Sequence, residues 1–489
     1  MKAVLVNIGV SQGGYAQFGR FMPMTAPGIH YIAAGLTRDG VDVEIVNQAN
    51  EKLSLDETVE EIKSKEPDVV LFNQFYSTRE EIRKVASRLD KNIKKGVGGH
   101  DATFHVDNEP SYYGMFNFVW KGEADFGLAE FLRKLSGEFE IWEGLENRVR
   151  DLDKLPILTH DDYSGDVGFL VTSRGCYKEG CGFCTTPQFY PDGRKVRSVE
   201  HVYAELENLA AASKKYIFIT DDNFLGFNLK DIDRANLILK KCDSLGIKVM
   251  FFSIKDQVIR ADQKGYFEEW KNTIYRIHMG IESGSDSSCV KLGKIGINSN
   301  ISRDAIDALE KNGIPVQLGY IMFNPQTTIE ELKESGRFLY PETDYDPWNA
   351  AEFMHFRQGL RFFPGSCPNR KFDIREGEYF YEFDDSVVQK LYEALWDIDD
   401  TQINQIVNLL YTIEDTLKIT GIGSWTRTAY GLVRTNIGSD NYNFFMDCLD
   451  KTQSGEAIDT YEFLNIMRVR LNELQMIYEG LQDQIIIDI

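Results

Sequence analysis

Val167-Gly168-Phe169-Leu170-Val171-Thr172-Ser173-Arg174-Gly175-Cys176-Tyr177-Lys178-Glu179-Gly180-Cys181-Gly182-Phe183-Cys184 runs from an apolar, β-branched start into a glycine-dense loop carrying three cysteines. Glycine lets a backbone wrap closely around a compact object. Three thiolates at this spacing can bind three irons of a cubane and leave the fourth iron open, and an open position on a redox-active metal can hold and reduce a substrate. A structural zinc site needs four protein ligands, and no fourth cysteine or histidine lies close by, since His160 and His201 flank the loop at a distance. A Cys181–Cys184 dithiol would leave Cys176 unexplained. The other cysteines, Cys242, Cys289, Cys367 and Cys448, are scattered and read as buried thiols, and an odd total of seven argues against a disulfide framework.

Outward from this loop, strand-like and helix-like segments alternate. Strands are expected at Val167–Thr172, Tyr216–Thr220, Lys248–Ile254, Ile274–Gly280, Val316–Met322 and Ala350–His355, with helices at Val199–Ser213, Asp231–Leu245, Gln263–Asn272, Ser302–Lys311 and Ile329–Leu339. Six strands separated by helices read as a curved parallel sheet, a partial (β/α)6 barrel of the TIM type over 167–383. Before it, 141–166 reads as a linker. Residues 1–140 form a second α/β unit, with strands at Ala3–Asn7, Val43–Val46, Val69–Phe72, Gly96–Gly98 and Phe116–Trp120 and helices near Pro27–Thr37, Leu55–Lys65, Arg79–Leu89 and Phe126–Leu135. That is a Rossmann-like or flavodoxin-like doubly wound sheet, whose ligands bind at the carboxyl ends of the strands. The loops there are Gly9–Tyr15, Gln48–Asn50, Asn73–Thr78 (with Ser77 and Thr78), Gly98–Thr103 and Lys121–Asp125. Residues 384–489 read as a helical domain, from apolar residues at three- and four-residue spacing in Val387–Ile398, Ile403–Leu417 and Tyr461–Leu481.

Composition is that of a folded globular chain, 43% hydrophobic and 27% charged over 489 residues. The net charge of −22 repels phosphate backbones and argues against nucleic acid as the main partner. No apolar run reaches the roughly 20 residues of a bilayer span. The N-terminus reads as a first strand rather than a signal peptide, so a cytoplasmic location is expected.

The cysteine loop resembles that of the radical S-adenosylmethionine (SAM) superfamily. There three cysteines spaced Cys-x3-Cys-x2-Cys follow the first barrel strand; here four residues, Tyr177 to Gly180, separate the first two. Further segments match in order: Asp221-Asp222-Asn223-Phe224, Gly280-Ile281-Glu282-Ser283-Gly284, Leu292-Gly293-Lys294, Gly313-Ile314-Pro315, Asn324-Pro325-Gln326-Thr327 and Phe363-Pro364-Gly365-Ser366. The resemblance, covering Gly168 to Ser366, implies a [4Fe-4S] cluster on Cys176, Cys181 and Cys184. It implies a SAM site with Asp221, Asp222 and Asn223 toward the amino group, Gly280, Glu282 and Ser283 along the ribose, and Phe183 near the adenine. Reductive cleavage of SAM would release a 5′-deoxyadenosyl radical that abstracts hydrogen from an unactivated carbon.

Residues 1–140 carry no G-x-G-x-x-G fingerprint. They resemble instead the cobalamin-binding domain found beside many radical SAM barrels, through Thr25-Ala26-Pro27-Gly28-Ile29-His30-Tyr31-Ile32-Ala33-Ala34-Gly35-Leu36, Gly98-Gly99-His100-Asp101-Ala102-Thr103 and Lys121-Gly122-Glu123-Ala124-Asp125. The implied cobalamin contacts are Ser77, Thr78, Gly98, Gly99, His100, Gly122 and Glu123. The Asp-x-His-x-x-Gly pattern that supplies a cobalt ligand in mutases is absent.

The resemblance therefore implies a cobalamin-dependent radical SAM enzyme that methylates an unactivated carbon of a small-molecule or peptide substrate and takes electrons from a flavodoxin or ferredoxin. Tyr190, Tyr320, His355 and Arg357 are candidates to line the substrate pocket. Two alternatives stand beside it: a radical oxidoreductase, cyclase or rearrangement enzyme that transfers no methyl, and a non-catalytic iron–sulfur electron-transfer or sensor protein. A pure electron carrier would ordinarily close its cluster with a fourth ligand.

Overall fold

The structure is a computed structural model that describes residues 1–9, 27–135, 139–144, 148–160, 165–176, 181–294, 298–340, 354–360, 373–375, 378–399, 401–420 and 424–487. Most of the loop Gly9–Tyr15, the pair Thr25-Ala26, the insertion Tyr177–Gly180, the segment Phe363–Ser366 and Cys367 lie outside the described residues.

The first sheet is wholly parallel, in the order β2-β1-β3-β4-β5-β6. Its strands are β1 (Lys2–Asn7), β2 (Asp42–Asn47), β3 (Val69–Asn73), β4 (Lys94–Gly98), β5 (Phe118–Lys121) and β6 (Glu140–Glu143). Alternate residues serve opposite faces, as the two-residue period of a strand requires. Val4, Val6, Val70, Phe72, Val97 and Val119 pack on one side, and Ala3, Leu5, Leu71, Phe118 and Trp120 on the other. Helices cover both faces, among them Pro27–Arg38 and Leu55–Ser64, the second started by a capping box between Ser54 and Glu57. The flavodoxin-like order of the first five strands matches the expected layout. The sixth strand was not expected: β6 lies across the 140/141 boundary, in what reads as linker. It is a short edge strand with a charge at each end and Ile141 and Trp142 exposed, so it has no alternation to betray it.

The rest of 141–166 is partly core. Val149, Leu152, Leu155 and Leu158 are buried with Tyr31 and Val171, joining the connecting segment to both sheets.

The second sheet is β13-β12-β11-β10-β7, again parallel: β7 (Val167–Leu170), β10 (Tyr216–Ile219), β11 (Lys248–Ser253), β12 (Ile274–Glu282) and β13 (Val316–Tyr320). Between β7 and β10, the two-residue strands β8 (Ser173–Arg174) and β9 (Lys195–Val196) pair antiparallel and bracket the cysteine loop. Ile217, Ile219, Val249, Phe251, Ile277 and Met279 face the helices, while Phe169, Phe218, Met250 and Tyr275 fill the concave side. Two expected elements differ. Gln263–Asn272 is not one helix, because Gly265 takes a left-handed φ of 72° and divides Lys255–Gln263 from Tyr266–Trp270. At the expected sixth strand, Ala350–His355, residues 350–353 lie outside the described residues and Met354–Arg357 is a helical turn. The sheet continues instead through a parallel bridge between Phe323 and Gly359.

The C-terminal helices are Ser386–Trp396, Thr401–Thr420, Ser424–Ser454 and Tyr461–Ile487. Thr401–Thr420 covers the concave face of β12 and β13: Arg276 Nη2 donates to Glu414 Oε2 at 2.8 Å and Gln317 Nε2 to Tyr411 OH at 3.2 Å. No described helix is long and apolar enough to cross a membrane.

Candidate functional site

The carboxyl ends of the two sheets face each other across a cavity of about 560 Å³. From the first sheet it is lined by Asn7, Asn73, Ser77, Gly98, Gly99, His100, Gly122, Glu123 and Asp125, and from the second by Ser173, Arg174, Thr186, Phe189, Tyr190, Thr220, Asp222 and Phe252. Sequence separation hides this pairing. Topology creates it, since every parallel strand of both sheets delivers its following loop to the same end.

The residues flanking the cysteine loop, Ser173, Arg174 and Thr186, form one side of the cavity. Cys176, Cys181 and Cys184 are all half-buried and in no disulfide. Gly175 turns the chain with φ of 85°, and a Cβ there would lie 2.8 Å from Gly193 O. Its N–H donates to Asp222 Oδ2 at 2.9 Å, and Thr186 Oγ1 donates to Asp222 Oδ1 at 3.1 Å. Burial raises the carboxyl of Asp222 above the usual range. Burial likewise pushes the Cys184 thiol up, so iron must displace its proton on binding. Among the described residues no three metal-ligating side chains are gathered into a ready-made site, so a cubane on these three thiols is what their spacing implies, and binding would have to draw them together.

The expected SAM residues divide into two groups. Asp222 lines the cavity and Glu282 stands beside the cysteine loop. Glu282 is buried at a β-bulge ending β12, with φ of 70°, a backbone conformation costly for a non-glycine residue. Its Oε1 lies 2.7 Å from Lys294 Nζ, and that ammonium sits 5.6 Å from the centroid of the Phe183 ring. Burial alone would lower the Lys294 pKa; Glu282 and Cys181 more than offset it and hold the ammonium charged. A Cβ at Gly280 would lie 2.7 Å from Glu282 Oε1, so a side chain there would push the carboxylate out of its present place beside Lys294. Asp221, Asn223 and Ser283 instead build the frame. Asp221 accepts from Thr172 N, Thr172 Oγ1 and Ser173 Oγ at 2.6, 2.5 and 2.6 Å. Asn223 Nδ2 donates to Gly226 O at 2.5 Å, and Ser283 Oγ lies 2.9 Å from Ser335 Oγ.

Of the expected cobalamin residues, Ser77, Gly98, Gly99, His100, Gly122 and Glu123 line the cavity. Ser77 Oγ is buried with no hydrogen-bond partner, an orphaned polar atom that a ligand's amide could satisfy. Gly122 takes φ of 86°, and nothing stands within 4 Å of where its Cβ would be, so the backbone itself is presented to the cavity. These features fit a large, flat, amide-fringed ring. Thr78 lies elsewhere: its hydroxyl is held by Phe75 N and O at 3.1 Å in its own helical turn. Burial lowers the His100 pKa to about 4, so the imidazole is neutral at pH 7, and its Nε2 lies 2.6 Å from Thr185 Oγ1, one residue past Cys184. Of the candidate substrate residues only Tyr190 lines the cavity; Tyr320 and His355 lie beside one another, ring centroids 5.9 Å apart, and Arg357 is buried over Trp396.

Sequence reasoning missed the ties between domains. Arg174 donates to Glu123 Oε1 and Asp125 Oδ2 at 2.7 Å and to Asp125 Oδ1 at 3.0 Å. Deeper in, Glu205 accepts from Tyr31 OH at 2.6 Å and Arg197 Nη2 at 2.8 Å, with His160 Nε2 at 3.3 Å. The available signal was placement: Asp125 and Arg174 each follow a strand end in loops expected to carry ligands.

Comparison with known proteins agrees with this geometry. A family model for the radical SAM superfamily matches residues 170–339, and one for the B12 binding domain matches 22–130. An uncharacterized methyltransferase of Pyrococcus horikoshii, PH0819, is 26% identical over 348 residues, 65% of this chain and 74% of its own length. Among solved structures, the cobalamin-dependent SAM radical enzyme OxsB with aqua-cobalamin and SAM bound aligns with a TM-score of 0.65 at 15% identity, covering 100% of this chain and 80% of that one. The radical SAM methyltransferase TsrM from Kitasatospora setae, with cobalamin and a [4Fe-4S] cluster bound, aligns at 0.57 and 12% identity over 90% of this chain and 99% of that one. At such identities the likeness is one of fold. With its three-cysteine loop following the first strand of a partial barrel and a doubly wound parallel sheet facing it, the chain is an enzyme that carries a radical SAM domain over residues 170–339 and a B12 binding domain over residues 22–130.

Proposed function

We propose that this chain methylates an unactivated carbon of a small-molecule or peptide substrate, using a [4Fe-4S] cluster, SAM and cobalamin in the cavity between its two sheets. The observation that carries the reading is that one cavity runs from the residues flanking the cysteine loop, Ser173, Arg174 and Thr186, to the carboxyl edge of the first sheet, so reactants held at each would lie close together. The relatives named as methyltransferases support transfer of a methyl group over rearrangement. When bound, the cluster and SAM supply a radical on the substrate, and the corrinoid supplies the methyl group. The protein's own part is positional. Cys176, Cys181 and Cys184 would hold the irons; Asp222 and Glu282, with Lys294 fixing the second, would orient SAM; Ser77, Gly98 and Gly122 would present hydrogen-bonding groups and bare backbone to the corrin. Leu71, Phe118, Trp120 and Phe252 keep the cavity wall apolar and water out.

Two tests follow. Glu282→Gln keeps a hydrogen bond to Lys294 but removes the charge. SAM affinity should fall about tenfold, the worth of one charge-assisted hydrogen bond, with iron content unchanged; equilibrium binding of SAM to the reconstituted enzyme measures it. Unaltered affinity would make Glu282 a structural residue only. For the corrinoid, Gly28 is the cleaner site than Gly99, where a Cβ would strike Asn73 Oδ1 at 2.5 Å and distort the loop. Gly28 lines the cavity with nothing within 4 Å of its Cβ position. Gly28→Trp should cut cobalamin occupancy about tenfold by filling space the ring needs, while the cluster's absorption persists. Full occupancy in that variant would place the corrinoid elsewhere.

A further inference from the structure

The cysteine loop belongs to the barrel by sequence, yet both of its ends are tied to the other domain. At its start, Arg174 stands two residues before Cys176, and its guanidinium makes a two-pronged bond to Asp125 and a single one to Glu123. All three side chains are nearly buried, at 11%, 5% and 5% exposure. At its end, Thr185 follows Cys184 and meets His100. Asp125, Glu123 and His100 all line the wall assigned above to the corrinoid. Burial works against a charged guanidinium, and the two carboxylates more than offset it. A planar fork can hold Asp125 at two points and so fix direction as well as distance, which a lysine ammonium cannot do.

We propose that Arg174 is a positioning residue: through Glu123 and Asp125 it sets the separation of the cluster from the corrinoid, without ligating either. The inference rests on the cobalamin reading of the cavity. The guanidinium of Arg174 is spent on Glu123 and Asp125, and an arginine is no iron ligand, so it could be lost without removing one. What its loss releases is the register between the loop at Cys176 and the turn at Gly122–Asp125, the geometry on which a reaction between two held cofactors depends.

The test uses the full chain, reconstituted anaerobically with iron and sulfide, loaded with hydroxocobalamin and then reduced with dithionite, which gives one electron each to the cobalt and to the cluster. Co(II) and the one-electron-reduced cluster are both paramagnetic, and their magnetic coupling depends steeply on separation. In the wild-type protein, low-temperature electron paramagnetic resonance should give one narrow coupling. Arg174→Gln should keep its iron and cobalt while the spread of couplings widens at least about twofold, the mark of a held geometry let go. Arg174→Lys should fall between. Asp125→Asn, outside the cysteine loop, should reproduce the widening even if Arg174→Gln loses its cluster. A wild-type coupling in Asp125→Asn, or in an Arg174→Gln protein that retains both metals, overturns the proposal. Wild-type protein that takes up no cobalt defeats the cobalamin reading itself, and is recognised before any variant is made.

Discussion

Replacing Cys176, Cys181 and Cys184 together by alanine removes all bound iron and all cleavage of SAM to 5′-deoxyadenosine. The wild-type chain, reconstituted under the same anaerobic conditions, should carry about four irons, since a cubane needs three protein thiolates and offers its fourth iron to a ligand. The effect is all-or-none because none of the other described cysteines can substitute. Cys242, Cys289 and Cys448 are buried in hydrophobic packing, and burial pushes the thiols of Cys242 and Cys448 up to about 12, so neither offers a thiolate. Iron retained in the triple variant would remove the cluster from this loop. Folding should survive, since the three cysteines are half-buried and belong to none of the hydrophobic cores.

The largest loss of stability is expected away from the chemistry, at Glu205. This carboxylate is fully buried, accepts from Tyr31 of the first domain and Arg197 of the barrel, and lies beside His160 of the connecting segment. Three parts of the chain therefore converge on one charge. Glu205→Ala leaves the Arg197 guanidinium, itself buried, without its carboxylate, and breaking a buried ion pair from one side costs about 3–5 kcal/mol. The cofactor-free protein should melt several degrees lower, in a calorimetric scan that separates the domains. Glu205→Gln, which keeps the hydrogen bonds, should lose less. Equal melting of Glu205→Ala and wild type would show that the two domains do not depend on this junction.

What the sequence made legible here was local. The cysteine loop announces itself because its three cysteines lie within nine residues, and the strands announce themselves because parallel strands covered on both faces are short runs such as Val69–Asn73 and Tyr216–Ile219. Helix Ser424–Ser454, inside the expected helical domain, has no such signature: it carries Gly431 and Gly438 and many Thr, Ser and Asn residues, all poorer helix formers. Packing overrides that preference, for Tyr430, Ile437, Phe444, Phe445, Cys448 and Leu449 are all buried against the rest of the chain. The same limit explains the site. Motif order located Glu282 and Asp222 but could not separate them from Asp221 and Ser283, whose polar atoms turn inward. One residue along a strand end reverses the face, and only the folded sheet fixes which face is the cavity. The ion pair between Arg174 and Asp125, 49 residues apart, is signalled only by each residue lying in a loop at a strand end, which names neither as the other's partner.

The account stands most directly on the metal content of a single preparation. The full chain, produced with cobalamin supplied and purified without oxygen, should contain iron and cobalt together, at about four irons and one cobalt per chain, by elemental analysis of the same sample. Iron without cobalt would contradict the cobalamin-dependent reading and leave a radical SAM enzyme that works without a corrinoid. Zinc in place of iron would contradict the central claim outright.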